Sequence, residues 1–124
     1  MFSKTRWIAL SLITILGTAT FMVAAETTPK LTIAEIMKQA HKRPKQLLKK
    51  VASGTASDAE KQQLVKLYRV LSQSKPPKGD AASWDAKTKL LVKAAEAAVK
   101  GQKDASQQLA RAANCMACHR AHKD

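Results

Sequence analysis

Both cysteines of this 124-residue chain lie in its last ten residues, in the run Cys115-Met116-Ala117-Cys118-His119. On a helix, positions i, i+3 and i+4 share a face, so Cys115, Cys118 and His119 would project together from one turn. Cys-x-x-Cys-His is the pattern by which a haem is covalently attached. The two thiols add across the vinyl groups as thioethers, and the adjoining imidazole takes an axial position on the iron. A chain built around such a turn must supply a helix to carry it and apolar walls to enclose a flat group.

Other chemistries fit these residues less well. A zinc site would need Cys115, Cys118, His119 and His122, but four ligands on two turns of one helix do not surround a metal tetrahedrally. A thioredoxin-like pair belongs at a helix N-terminus in a βαβ context, whereas this pair lies near the C-terminus with no strand before it. A single disulfide is the ordinary fate of two exported cysteines, and the adjacent His119 argues against it here.

The N-terminus indicates export. Lys4 and Arg6 form a basic head, residues 7–25 carry no charge, and Val23-Ala24-Ala25 places small residues before Glu26. That is the layout of a secretory signal peptide over residues 1–25, cut after Ala25, and it directs the chain to the periplasm or otherwise out of the cell. An uncut membrane anchor is the competing reading, since residues 7–25 are just long enough to span a bilayer. Thr14, Gly17, Thr18 and Thr20 dilute its apolarity.

Residues 26–124 form one small domain, and a bound prosthetic group would add considerably to the limited core of a chain that short. Lys4 and Arg6 are the only charges in the leader, so its removal lowers the formal net charge from +13 to +11. That excess steers anionic partners, most strongly at low salt. Trp84 and Tyr68 are the only aromatics beyond the leader, too few for the stacking that nucleic-acid binding uses. Acidic redox partner proteins are the expected partners, with a membrane involved only if the leader is kept.

The spacing predicts four helices and no strand. Thr32 and Glu35 form a capping box, followed by an apolar stripe through Ile33, Ile36, Met37, Ala40, Leu47, Leu48 and Val51. Pro44 predicts a kink, or two short helices, near 42–44. Ser57 and Glu60 form a second capping box, opening a helix to about Gln73 that carries Leu64, Leu67, Tyr68 and Leu71 inward. The Pro76-Pro77 connector follows. Ser83 is the expected cap of a third helix bearing Trp84, Leu91, Val92, Ala95 and Val99, which Gly101 stops. A fourth helix from Asp104 or Ser106 runs through Leu109, Ala112, Ala113 and Met116 into the cysteine motif. Short loops make these antiparallel neighbours, an all-α up-down-up-down four-helix bundle. The many alanines of the last two helices either permit close packing or leave room for a flat ligand.

A four-helix chain with its only haem motif on the last helix resembles the cytochrome c-prime family over essentially the whole of residues 26–124. Ile36-Met37-Lys38 is similar to the stretch where low-spin members place a distal methionine ligand, and Trp84 is similar to the family's tryptophan at the start of helix three. Where many members read Cys-x-x-Cys-His-x-x-Tyr-Arg, this chain has His122 and Lys123 in the last two places. The resemblance implies one covalently attached haem c with His119 proximal and Met37 distal. It also implies a possible homodimer through helices one and two, which a break at Pro44 would disturb.

His41, one turn after Met37, is the rival distal ligand, and an open sixth position is the third possibility. A closed position suits one-electron transfer; an open one suits five-coordinate binding of a diatomic gas such as NO or CO. Trp84 is expected to pack against the haem edge, its indole N–H within reach of a propionate. Arg111 and Lys123 are candidates to offset propionate charge, and His122 is expected to be exposed near the chain end. No nucleophile–base or paired-carboxylate arrangement is visible, so an enzymatic role is not expected. The reading from a different class is a haem-free helical interaction module. For the leader, exported protein should begin at Glu26 on N-terminal sequencing; an intact mass that retains residues 1–25 overturns cleavage.

Overall fold

The computed structural model describes residues 30–124, so the leader and its cleavage site lie outside the described residues. The described residues are all-α. Six helical segments run in order: α1 (Ile33–His41), α2 (Leu47–Ala52), α3 (Asp58–Gln73), α4 (Ala81–Val99), α5 (Ala105–Ala112) and α6 (Cys115–His122). Among the described residues, no helix is long and apolar enough to cross a membrane.

Local hydrogen bonding sets most of these boundaries. Thr32 Oγ1 accepts from the Glu35 amide while the Glu35 carboxylate accepts from the Thr32 amide at 2.7 Å, the reciprocal capping box that opens α1. Ser57 and Glu60 repeat the arrangement at α3. Each box satisfies two amides that a helix start would otherwise leave without partners. The break expected at Pro44 is real and yields two helices. Lys42 is extended, and Gln46, which precedes α2, sits in the left-handed region at φ 43°. Gly101, at φ +69°, ends α4 as anticipated.

Two boundaries differ from the sequence reading. Asp80, not Ser83, caps α4: its carboxylate accepts from the Ser83 amide at 2.8 Å. A carboxylate there also complements the positive end of the helix dipole, and Ala81 and Ala82 join the helix at little cost. The second difference lies in the last helix. It stops at Ala112 and restarts at Cys115, because Asn114 caps a new helix by accepting from the Ala117 amide at 3.1 Å. The stripe expected to run from Leu109 into Met116 is therefore interrupted. Leu109 is fully buried, whereas Met116 is 59% exposed.

The core forms where α3 and α4 pack along most of their lengths. Leu64, Tyr68 and Leu71 from α3 join Trp84, Leu91 and Ala95 from α4 in one core cluster with Ile36, Leu47 and Leu109. Buried alanines at 40, 94 and 95 let backbones approach closely. α5 packs on α2 and α4, while α6 rests chiefly on α4.

The α3 cap gives a direct test. Ser57→Ala should lower stability by about 1 kcal/mol, read as a reduced denaturation midpoint with an unchanged urea slope. Hydrogen bonds from Lys50, then from the Ser57 amide, hold the Glu60 carboxyl below its ordinary value of 4.5. A depressed folded-state value contributes stability that is present above pH 4.5 and is lost as pH falls through the folded value. Glu60→Gln should flatten that acid limb of a stability–pH profile.

Candidate haem-binding site

The two ends of the chain's candidate chemistry line the same cavity, about 510 Å³ in volume. α1 contributes Ile33, Met37 and His41; α6 contributes Cys115, Cys118, His119 and His122; Leu71, Trp84 and Leu91 supply apolar wall between them. The size lies within the range of small-molecule and cofactor sites, and so does the pattern of apolar walls with a few polar groups. The alanines divide between the two roles the sequence left open. Ala94 and Ala95 are packed in the core, while Ala112 and Ala113 pack against it and also line the cavity.

All three motif residues sit in α6, as the spacing predicted. Cys115 and His119 are exposed and Cys118 is half-buried; neither thiol is in a disulfide. Burial pushes the Cys118 thiol above its ordinary value, with the Lys87 ammonium opposing the shift. Among the described residues, no group of three or more His, Cys, Asp and Glu side chains converges to hold a metal ion. Both ring nitrogens of His122 face other partners, Ser83 and Lys78.

Met37, also in the lining, is half-buried and packs against the core. His41 is tied differently: its Nε2 lies 3.1 Å from the Tyr68 hydroxyl, and the two rings meet edge to face. Burial first, and the nearby His119 second, hold the His41 imidazole below the usual histidine value. Burial, reinforced by Cys115, holds the Tyr68 phenol well above the tyrosine range. Both groups are therefore neutral at ordinary pH, and their hydrogen bond occupies Nε2 whichever of them donates. Sequence reading missed this pair because 27 residues separate its members.

Trp84 is buried and lines the cavity, but its indole N–H donates to the Ser74 carbonyl at 2.8 Å and is not free for a propionate. The expectation of an exposed His122 is also corrected. It is 2% exposed, and its imidazole stands edge-on to Trp84 at 5.3 Å. Lys42 and Lys123 line the cavity, and among the described residues no carboxylate does. Arg111 is exposed and is not part of the lining. Compared with known proteins, the chain matches no family model, no curated protein and no solved structure.

Proposed function

We propose that the protein is an exported, periplasmic monohaem c-type cytochrome that carries single electrons. One observation carries the reading: the Cys115–Cys118–His119 turn and Met37, from opposite ends of the sequence, line one apolar cavity of cofactor size. The residues fit a haem c. Each thiol would add its S–H across a vinyl group, forming one S–C bond with the hydrogen going to the neighbouring carbon, so no oxidant is needed. His119 would supply the proximal imidazole. His119 and Met37 are the residues that would hold the iron, and a haem so held would supply one-electron chemistry.

Met37 is the better distal ligand. The hydrogen bond to Tyr68 holds the His41 Nε2, whereas the Met37 thioether has no competing polar partner, and a thioether opposite histidine raises the reduction potential. Lys42 and Lys123, both in the cavity lining, would face propionates or an acidic redox partner.

The packing also supports a cytochrome c-prime-like bundle of four rods, the first and last each broken once. Taken as rods, α1–α2 touches α3, α3 touches α4, α4 touches α5–α6, and α5 returns to α2, a closed ring of neighbours.

Protein exported from a haem-maturing host should give a pyridine haemochrome and, when reduced, a sharp low-spin α band. Met37→Ala should convert it to high spin and lower the potential, while His41→Ala should leave it low spin. A high-spin wild type whose spectrum shifts with carbon monoxide would replace electron transfer with gas binding. A colourless product, its sulfurs free or joined to each other, would leave a haem-free helical module.

A further inference from the structure

The fourth residue of α6 after Cys118 is held as firmly as any side chain in the core. His122 is 2% exposed. Its Nδ1 lies 3.1 Å from the Lys78 carbonyl and its Nε2 lies 3.1 Å from Ser83 Oγ. A carbonyl can only accept, so Nδ1 carries the proton. The Lys87 ammonium, 2.9 Å from Ser83 Oγ, can only donate. Ser83 Oγ accepts from Lys87 and pairs with Nε2, so both ring nitrogens of His122 have partners.

The backbone is shaped to the same contact. Gly79 has φ +88°, and a Cβ there would lie 2.2 Å from the Ala121 carbonyl oxygen and 2.7 Å from His122 Nδ1. Only a glycine fits so close an approach in that conformation. Trp84, stacked edge-to-face with His122, ties the other end of the connector through its bond to Ser74. The segment from Ser74 to Ser83 is thus fastened as a socket, and His122 occupies it.

α6 needs such an anchor. It restarts after the break at Ala113–Asn114, so α5 does not dictate its rotation, and it packs chiefly on α4. His122 stands three residues after His119 and four after Cys118, on the same side of the helix. We propose that His122 is a positioning residue, a latch that sets the rotation of α6 and so aims the His119 imidazole and Cys118 into the cavity. The consequence for an axial ligand rests on the haem reading above; the latch itself does not.

The test uses the full exported protein and two readouts: hydrogen exchange of the α6 amides, and the ferric low-spin spectrum with the reduction potential. His122→Ala and Gly79→Ala should each speed α6 exchange on the order of tenfold, the effect of losing one or two net hydrogen bonds. Both should broaden the low-spin signal in the same way, and the double variant should add little further. His122→Asn should recover most of the wild-type behaviour, because its amide nitrogen stands where Nδ1 donates to Lys78. Ser57→Ala, which weakens a remote cap, should lower thermal stability and move neither readout. If His122→Ala does not fold, Ser83→Ala removes the Nε2 bond alone and should give a smaller change of the same kind. Wild-type exchange in His122→Ala, an Asn variant no better than Ala, or faster exchange with an unaltered spectrum would each overturn the proposal. A wild type without haem defeats the cytochrome reading instead, and the exchange data still judge the latch.

Discussion

An apolar cavity of about 510 Å³, open to solvent, lies beside the core of this small domain. Water in it leaves hydrated apolar surface that folding has not buried. Ile33, Met37, Leu71, Trp84 and Leu91 build its apolar walls. The α3–α4 packing can hold the frame, because Leu64, Tyr68 and Ala95 bury fully there and are not part of the cavity lining.

Charge is arranged with the same economy. The carboxylates are drawn into local structure: Glu35 and Glu60 complete capping boxes, Asp80 caps α4, and Asp58, Asp85 and Glu96 pair with Lys61, Lys89 and Arg69. The exposed pairs contribute little stability individually. Lys42 and Lys123 line the cavity, and among the described residues no carboxylate does.

What could be read from the sequence was what acts within about four residues. Thr32 with Glu35 and Ser57 with Glu60 place two helix starts, Pro44 forces a break, and Gly101 stops α4, each through bonds or sterics along the chain. The grouping of Cys115, Cys118 and His119 followed from helical geometry, and the amphipathic stripe put Met37 and His41 beside the core. What could not be read depends on distant partners. His122 is buried by Lys78 and Ser83, 44 and 39 residues away, and Tyr68 reaches His41 across 27. Asn114 is an intermediate case. Asparagine is a strong helix cap, but a cap inside an apparently continuous apolar stripe is easily overruled by the stripe.

That overlooked cap has a geometric consequence for the whole site. At about 100° per residue, a helix unbroken from Leu109 would carry Met116 round to nearly the same side as Leu109. Cys118, nine residues on, would fall about 180° away, on the face opposite the core. His119 would point well off the core as well. The two-residue interruption at Ala113–Asn114 resets the phase: Met116 turns out to solvent, and Cys118 and His119 line the cavity. The other interruption, from Lys42 to Gln46, also borders this space, since Lys42 is part of the lining and Gln46 adopts a left-handed conformation rarely used by residues other than glycine. Both breaks in the helical pattern thus border the cavity, where Lys42, Ala113 and Asn114 are part of the lining. A restarted α6, free of α5's phase, is also one whose rotation must be fixed by something else, and the socket around His122 lies one turn beyond His119.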